Sequence, residues 1–191
     1  MILPNNDQPE IRIPMLRLLI VGLLITPATL PAQRNPVSNA VRASAGDNGK
    51  NLLAAARAMP ADRYDYKPTP AQMTFGELIV HIQGDNRITC AAIGGAKPPA
   101  ETSLTPTAGK DALVAALERS LTFCSTALAH VTDTRLGDMV PYYGRNAPRA
   151  AAMIGLITDW ANHYSQQAIY LRLNGVLPPT ARKGCAVVAR A

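Results

Sequence analysis

The sequence predicts an all-α fold, a single bundle of four helices packed around one core. Three observations predict it. The 191 residues are 48% hydrophobic, which suits one domain with a sizeable core. Apolar residues recur at spacings of three and four in four stretches, separated by connections rich in proline and glycine. No stretch shows the alternating pattern of a strand, so four helices around one core is the expected architecture.

The first two helical stretches are predicted over residues 38–59 and from Thr74 to Ile93. Pro60 ends the first stretch. Thr74 and Glu77 have the spacing of a capping box, in which their side chains satisfy the free amides of a helix start. We therefore expect the second helix to begin at this threonine.

The third stretch covers residues 110–130, and the fourth begins after Asn146 and continues to Asn174. Pro148 suits the first turn of a helix, and Gly175 is a typical residue to follow a helix end. The segment between these two helices contains the run Pro-Tyr-Tyr-Gly and is predicted to be a loop.

The N-terminus has the pattern of a secretory signal, which we predict over residues 1–32. Arg17 supplies a positive start, residues 18–25 are apolar, and Pro27 follows as a helix breaker. Small residues precede a predicted cleavage point after Ala32. A membrane anchor and a buried N-terminal helix are the alternatives.

Residues 1–14 fit this signal poorly, because they contain two acidic residues and three prolines. Translation from Met15 is therefore a second hypothesis for the start. The helical bundle is then expected over residues 33–180, and residues 181–191 form a flexible tail.

The net charge of +6 comes from basic residues that are scattered along the chain rather than clustered. Nucleic-acid binding normally requires a basic stripe or patch, and aromatic residues are only 5%. No window reaches the ~18 consecutive apolar residues of a membrane-spanning helix. We therefore expect neither a nucleic-acid partner nor a membrane association after signal cleavage.

Three polar residues fall on the apolar faces of predicted helices. Asp159 and His163 are four residues apart and project from one side of the fourth helix, and His81 lies on the inner face of the second. Imidazole and carboxylate groups bind zinc, nickel and iron(II), and three such ligands leave positions for water or substrate. The alternative is a simple hydrogen-bonded pair of Asp159 and His163 on a half-buried face.

Several stretches of the chain resemble the DinB-like superfamily of four-helix metalloproteins, particularly its exported bacterial members. The resemblance covers about residues 36–180. Its motifs are Asn51–Ala56 with Met59 and Pro60, Tyr64–Pro70, Phe75–Leu78 with His81, His163–Gln166, Tyr170–Gly175, and Pro178 with Pro179.

The resemblance implies an up-down-down-up bundle with a long crossover between helices 2 and 3. It also implies a divalent metal held by three histidines, one in the second helix and a His-x-x-x-His pair in the fourth. His81 and His163 match two of these ligands, but Asp159 stands where the first histidine of the pair is expected. The site is therefore either a two-histidine, one-aspartate site or one that has weakened or lost its metal.

The superfamily includes thiol-dependent transferases and isomerases, so the resemblance implies a metal-dependent hydrolase or a thiol-transferase-type enzyme. A metal ion activates bound water or thiol as a nucleophile. Asp85, Asn162 and Gln166 are candidates for orienting the ligands. Zinc, nickel and iron are not distinguished, and a homodimer is possible by analogy. A non-catalytic binding module and a structural protein with a degenerate site are the alternatives.

The implied topology also bears on the cysteines. If helices 2 and 3 are parallel, Cys90 and Cys124 lie at nearly the same level, so we predict a disulfide between them. Residues 94–109 can extend over ~50 Å, which is enough to return along a helix of ~30 Å. Disulfides persist in oxidising compartments, which agrees with a periplasmic or secreted protein. Two small buried side chains are the alternative, and Cys185 is expected to be unpaired or intermolecular.

Overall fold

The computed structural model describes residues 34–101 and 103–182, which form four long helices and one short hairpin. The predicted signal over residues 1–32 and most of the predicted tail lie outside these described residues. The helices are α1 (Pro36–Ala58), α2 (Phe75–Gly94), α3 (Lys110–Ala129) and α4 (Arg149–Leu173). They agree with the predicted stretches to within a few residues.

The end signals of α2 and α4 act largely as predicted. At the start of α2, the Thr74 hydroxyl accepts from the amide of Glu77, and the Glu77 carboxylate accepts from the amide of Thr74. Gly175 follows α4 in the left-handed conformation with φ 70°. Pro148 differs from the prediction, because it precedes α4 as the last residue of a strand instead of lying in the first helical turn.

The direction of each helix follows from contacts between side chains. Asn86 of α2 donates to Ser120 of α3 at 3.0 Å, and Cys90 lies beside Cys124 four residues further along both helices. Helices α2 and α3 are therefore parallel.

Helix α1 runs opposite to α3. Arg42, near the start of α1, donates to the carbonyl of Leu128 near the end of α3. Arg57, at the end of α1, pairs with Glu118 nearer the start of α3 at 2.9 Å. Helix α4 runs opposite to α2, so the order is up-down-down-up, and the long crossover lies between α2 and α3 as expected.

A disulfide joins Cys90 and Cys124, with their Cα atoms 5.0 Å apart and both side chains buried. The prediction of this pairing is confirmed. The disulfide links the C-terminal halves of the parallel helices α2 and α3. Such a bond is typical of proteins that fold in an oxidising compartment.

The segment between α3 and α4, predicted as a loop, contains an antiparallel hairpin of β1 (Met139–Tyr142) and β2 (Arg145–Pro148). Tyr143 and Gly144 form its turn with φ angles of 45° and 74°. Two positive φ values in a two-residue connection are the signature of a type I′ turn. The strands were missed because each has only four residues and contains a proline, which normally argues against a strand.

The core is formed by large side chains from all four helices. The fully buried ones are Trp160, Phe75, Leu52, Met59, Leu78, Ile79, Ile82, Ile93, Leu113, Leu117, Leu128 and Met153. By length and composition, α3 is the one helix among the described residues that could cross a membrane. Here its apolar stripe packs into this core.

Candidate metal centre

Helices α2 and α4 bring two histidines and two aspartates together. His81 precedes Asp85 by one turn on α2, whereas Asp159 precedes His163 by one turn on α4. Because the helices are antiparallel and the order of the residues is reversed, histidine faces histidine. The rings of His81 and His163 lie 5.0 Å apart, with an interplanar angle of 80°.

The donor atoms have the separations expected for ligands of one ion. His81 Nε2 lies 3.4 Å from Asp85 Oδ2, and His163 Nε2 lies 3.2 Å from Asp159 Oδ1. Two ligands placed ~2.1 Å from a tetrahedral zinc ion are roughly 3.3 Å apart. One donor atom from each of His81, Asp85 and His163 lies within 4.8 Å of the other two. These three side chains converge on one small volume, whereas Asp159 lies outside this group of three and reaches it through His163.

Two buried side chains of α4, at or near this cluster, have polar atoms without hydrogen-bond partners. His163 is 7% exposed, its Nδ1 has no hydrogen-bond partner within the described residues, and its Nε2 has only the contact with Asp159. Gln167, one turn further along α4, is fully buried, and neither of its amide atoms has a partner there. Burying such a group unsatisfied costs about 1–3 kcal/mol, so an inward-facing imidazole of this kind fits a metal ligand.

The carboxyl groups of Asp85 and Asp159 favour a cation between α2 and α4. Burial raises the pKa of Asp85, and the nearby Asp159 raises it further, while His81 and His163 oppose the shift. The carboxyl group is therefore harder to ionise here than in water, because burial removes it from solvent and, to a lesser degree, because Asp159 is close to it. A divalent cation would compensate both carboxylates.

The hairpin lies beside this cluster. Burial raises the pKa of Tyr142, and the next largest cause is the charge of Asp159. The Tyr142 hydroxyl lies directly against Gly155 of α4, one turn before Asp159, where any side chain would collide with it. The sequence did not predict this contact, because only the strand before the Tyr-Gly turn is apolar and the strand after it begins with Arg145 and Asn146.

The structure places the predicted site residues in two groups. His81, Asp85 and His163 form the compact group, and Asp159 contacts it through His163. Asn162 and Gln166, the other two candidates for orienting the ligands, lie on the exposed side of α4. Gln167 points inward instead, and the sequence alone did not single it out.

Comparison with known proteins identifies the class to which this fold and site belong. The family model of the DinB superfamily matches residues 47–166. The chain therefore belongs to the DinB superfamily. Among curated proteins, none matches it significantly.

Solved structures show the same fold. A DinB-like protein of Bacillus cereus has a TM-score of 0.63 and 18% identity, covering 74% of this chain and 95% of that one. A DinB-like protein of Bacillus subtilis, YjoA, has a TM-score of 0.60 and 18% identity, covering 72% and 93%. A conserved protein of Enterococcus faecalis has a TM-score of 0.59 and 17% identity, covering 72% and 96%. At sequence identities of 17–18%, these comparisons show that the proteins share a fold with this chain.

Proposed function

We propose that this protein is an exported, divalent-metal-dependent hydrolase whose ion is held between α2 and α4. His81, Asp159 and His163 are the ligands that the family pattern indicates, and Asp85 adds a second carboxylate. The observation that carries the proposal is the group of His81, Asp85 and His163, whose donor atoms all lie within 4.8 Å of one another.

The donor set suits zinc, nickel or iron(II), because two imidazoles and carboxylate oxygens are accepted by all three. When bound, such an ion would act as a Lewis acid and lower the pKa of a water molecule. His81 and His163 would both use Nε2, the atom that each turns towards a carboxylate. The carboxylates of Asp85 and Asp159 would balance the charge of the ion, which favours water over an anionic thiolate.

Export is supported by two observations of different kinds. The chain has the predicted signal over residues 1–32, and the disulfide between Cys90 and Cys124 suits an oxidising compartment. We therefore propose a periplasmic or secreted location. Such a location also separates the protein from the thiol cofactors of the cytosol, which favours hydrolysis over thiol transfer.

Metal content tests the ligand assignment. The purified protein is equilibrated with zinc, nickel or iron(II), and bound metal is measured by elemental analysis and calorimetry. We expect about one ion per chain, and at least a tenfold loss of affinity in His81→Ala, Asp159→Ala and His163→Ala. His130→Ala is the matched control, because His130 is exposed at the end of α3.

Full metal content in His81→Ala, or none in the wild type, would contradict the proposal. Asp159→His should strengthen zinc binding, since it restores the three-histidine pattern of the family. Turnover is then measured with ester and amide substrates in the loaded and metal-free protein. Metal binding without any metal-dependent turnover would instead indicate a non-catalytic binding module.

A further inference from the structure

A groove of about 400 Å³ begins at Asp85 and runs between the second half of α2 and the hairpin. One wall is formed by Ile88, Thr89 and Ala92 of α2, and the other by Tyr142 and Tyr143. We infer that this groove is the substrate cleft of the proposed metal site. It would take an uncharged small molecule with an apolar body and one carbonyl oxygen, such as an amide or ester. This inference rests on the proposed function.

The position of the groove connects it to the metal cluster. Asp85 lines the groove and also lies 3.4 Å from the imidazole of His81. On the opposite wall, the Tyr142 hydroxyl contacts Gly155, one turn from Asp159. A molecule lying in the groove would therefore direct one end towards the histidines and aspartates.

The charges around the groove favour an uncharged ligand. Among the described residues that line it, Asp85 is the single charged side chain, and no lysine or arginine is present. Asp85 and Asp159 together would neutralise a divalent ion, so the ion itself would not attract an anion, and Arg145, whose charge reaches Tyr142, lies outside the lining. Ile88, Pro98 and Pro141 give the rest of the groove an apolar lining, as in most small-molecule sites.

The backbone of Tyr143 is a second, independent observation. This residue occupies the left-handed region with φ 45°, where a bulky side chain is uncommon and asparagine or glycine is preferred. Strain of this kind clusters at functional sites. The turn places the Tyr143 ring beside that of Tyr142, with ring centroids 4.6 Å apart, so that an aromatic surface borders the groove.

The test is a binding measurement on the zinc-loaded protein by NMR titration with three probes of similar size. Benzamide is uncharged, benzoate is an anion and benzylammonium is a cation. Benzamide is expected to shift the backbone amide signals of Thr89, Ala92 and Gly144, which line the groove. Benzoate and benzylammonium are expected to bind about tenfold more weakly or worse, and metal-free protein should bind benzamide more weakly.

Two variants locate the binding. Ile88→Trp fills the groove and should weaken benzamide binding about tenfold. Ile154→Trp is the matched control, since the exposed fractions of Ile88 and Ile154 are 49% and 55%, and Ile154 does not line the groove. Tyr143→Asn removes the aromatic ring but suits the turn, so it should weaken benzamide binding without unfolding the hairpin.

Benzoate binding as tightly as benzamide would overturn the inference. Equal losses in Ile88→Trp and Ile154→Trp would also overturn it. If zinc binds and benzamide leaves the groove signals unchanged, the cleft assignment alone fails. If the protein binds no zinc at all, it is the proposed function that fails.

Discussion

Helix α2 presents polar residues to both of its neighbours, and the two seams differ in how well those residues are satisfied. The Asn86 side chain donates to Ser120 of α3 at 3.0 Å, and its Oδ1 accepts from the indole of Trp160 of α4 at 2.7 Å. Near the His81 cluster, by contrast, His163 Nδ1 and the buried amide of Gln167 have no hydrogen bonds within the described residues, and His163 Nε2 has only its contact with Asp159.

This difference separates a structural seam from a candidate binding seam. A satisfied polar network stabilises a unique packing arrangement, whereas unsatisfied buried groups cost stability until a ligand binds them. Helix α4 takes part in both, since Trp160 and His163 lie three residues apart on it. The structural network therefore fixes the helix that carries the proposed ligands.

The largest effect is expected from the disulfide in the structural seam. Cys90 and Cys124 are separated by 34 residues, so their crosslink restricts the unfolded chain substantially. Replacing both with alanine should lower the free energy of unfolding by about 4 kcal/mol, measured with urea. The reduced wild type should behave like the double variant. An unchanged unfolding midpoint after reduction would show that the bond does not stabilise the fold.

The next effect concerns the hydrogen-bond network of the same seam. Asn86→Leu leaves the buried indole N–H of Trp160 without its acceptor and Ser120 without its donor. We expect the free energy of unfolding to fall by about 2–3 kcal/mol. Asn162→Leu, on the exposed side of α4, should change it by less than about 0.5 kcal/mol. Equal effects of the two substitutions would contradict a structural role for Asn86.

The binding seam should respond in the opposite direction. Gln167→Met replaces a buried amide that lacks partners with an apolar chain of similar length. The metal-free protein should therefore become more stable by about 1–2 kcal/mol in thermal or urea unfolding. Gln166→Met, its exposed neighbour, is expected to have almost no effect. A loss of stability in Gln167→Met would mean that the amide is satisfied after all.

The smallest effect is a pH dependence that contrasts two carboxyl groups. Burial raises the pKa of Asp133, but hydrogen bonds from Ser38 and the amide of Val37 outweigh it, so the pKa is lowered overall. The pKa of Asp85, by contrast, is raised, mainly by burial. Because the pKa of Asp133 is lower in the folded than in the unfolded protein, its ionised carboxylate stabilises the fold at pH values above about 3.9, the pKa in the unfolded chain. This stabilising contribution is lost as the pH falls through the pKa that Asp133 has in the folded protein.

Asp133→Asn should accordingly be less stable than the wild type at pH 7, and the difference should shrink below about pH 4. Urea unfolding at pH 7 and pH 3 measures it. A difference that stays constant across this range would show that the charge of Asp133 is not involved.

Much of the fold could be predicted because its signals are local. The capping box of Thr74 and Glu77 and the apolar spacing within each helix need no distant contact. The family resemblance supplied the helix order, and with it the pairing of Cys90 and Cys124. The hairpin could not be predicted, because its short strands are stabilised by packing against α2 and α4 instead of by their own pattern.

The sequence by itself determined the four helices and the helix faces that carry His81 and His163, since both follow from helical periodicity; His163 is buried, whereas the His81 side chain is 38% exposed. Only the tertiary structure decided which polar neighbours join them. Residues three and four positions from His163 both lie near its face, and the packing of α4 buried Gln167 and left Gln166 exposed. The antiparallel pairing of α2 with α4 likewise brought Asp85 into the cluster, because a contact between helices depends on their relative direction and level.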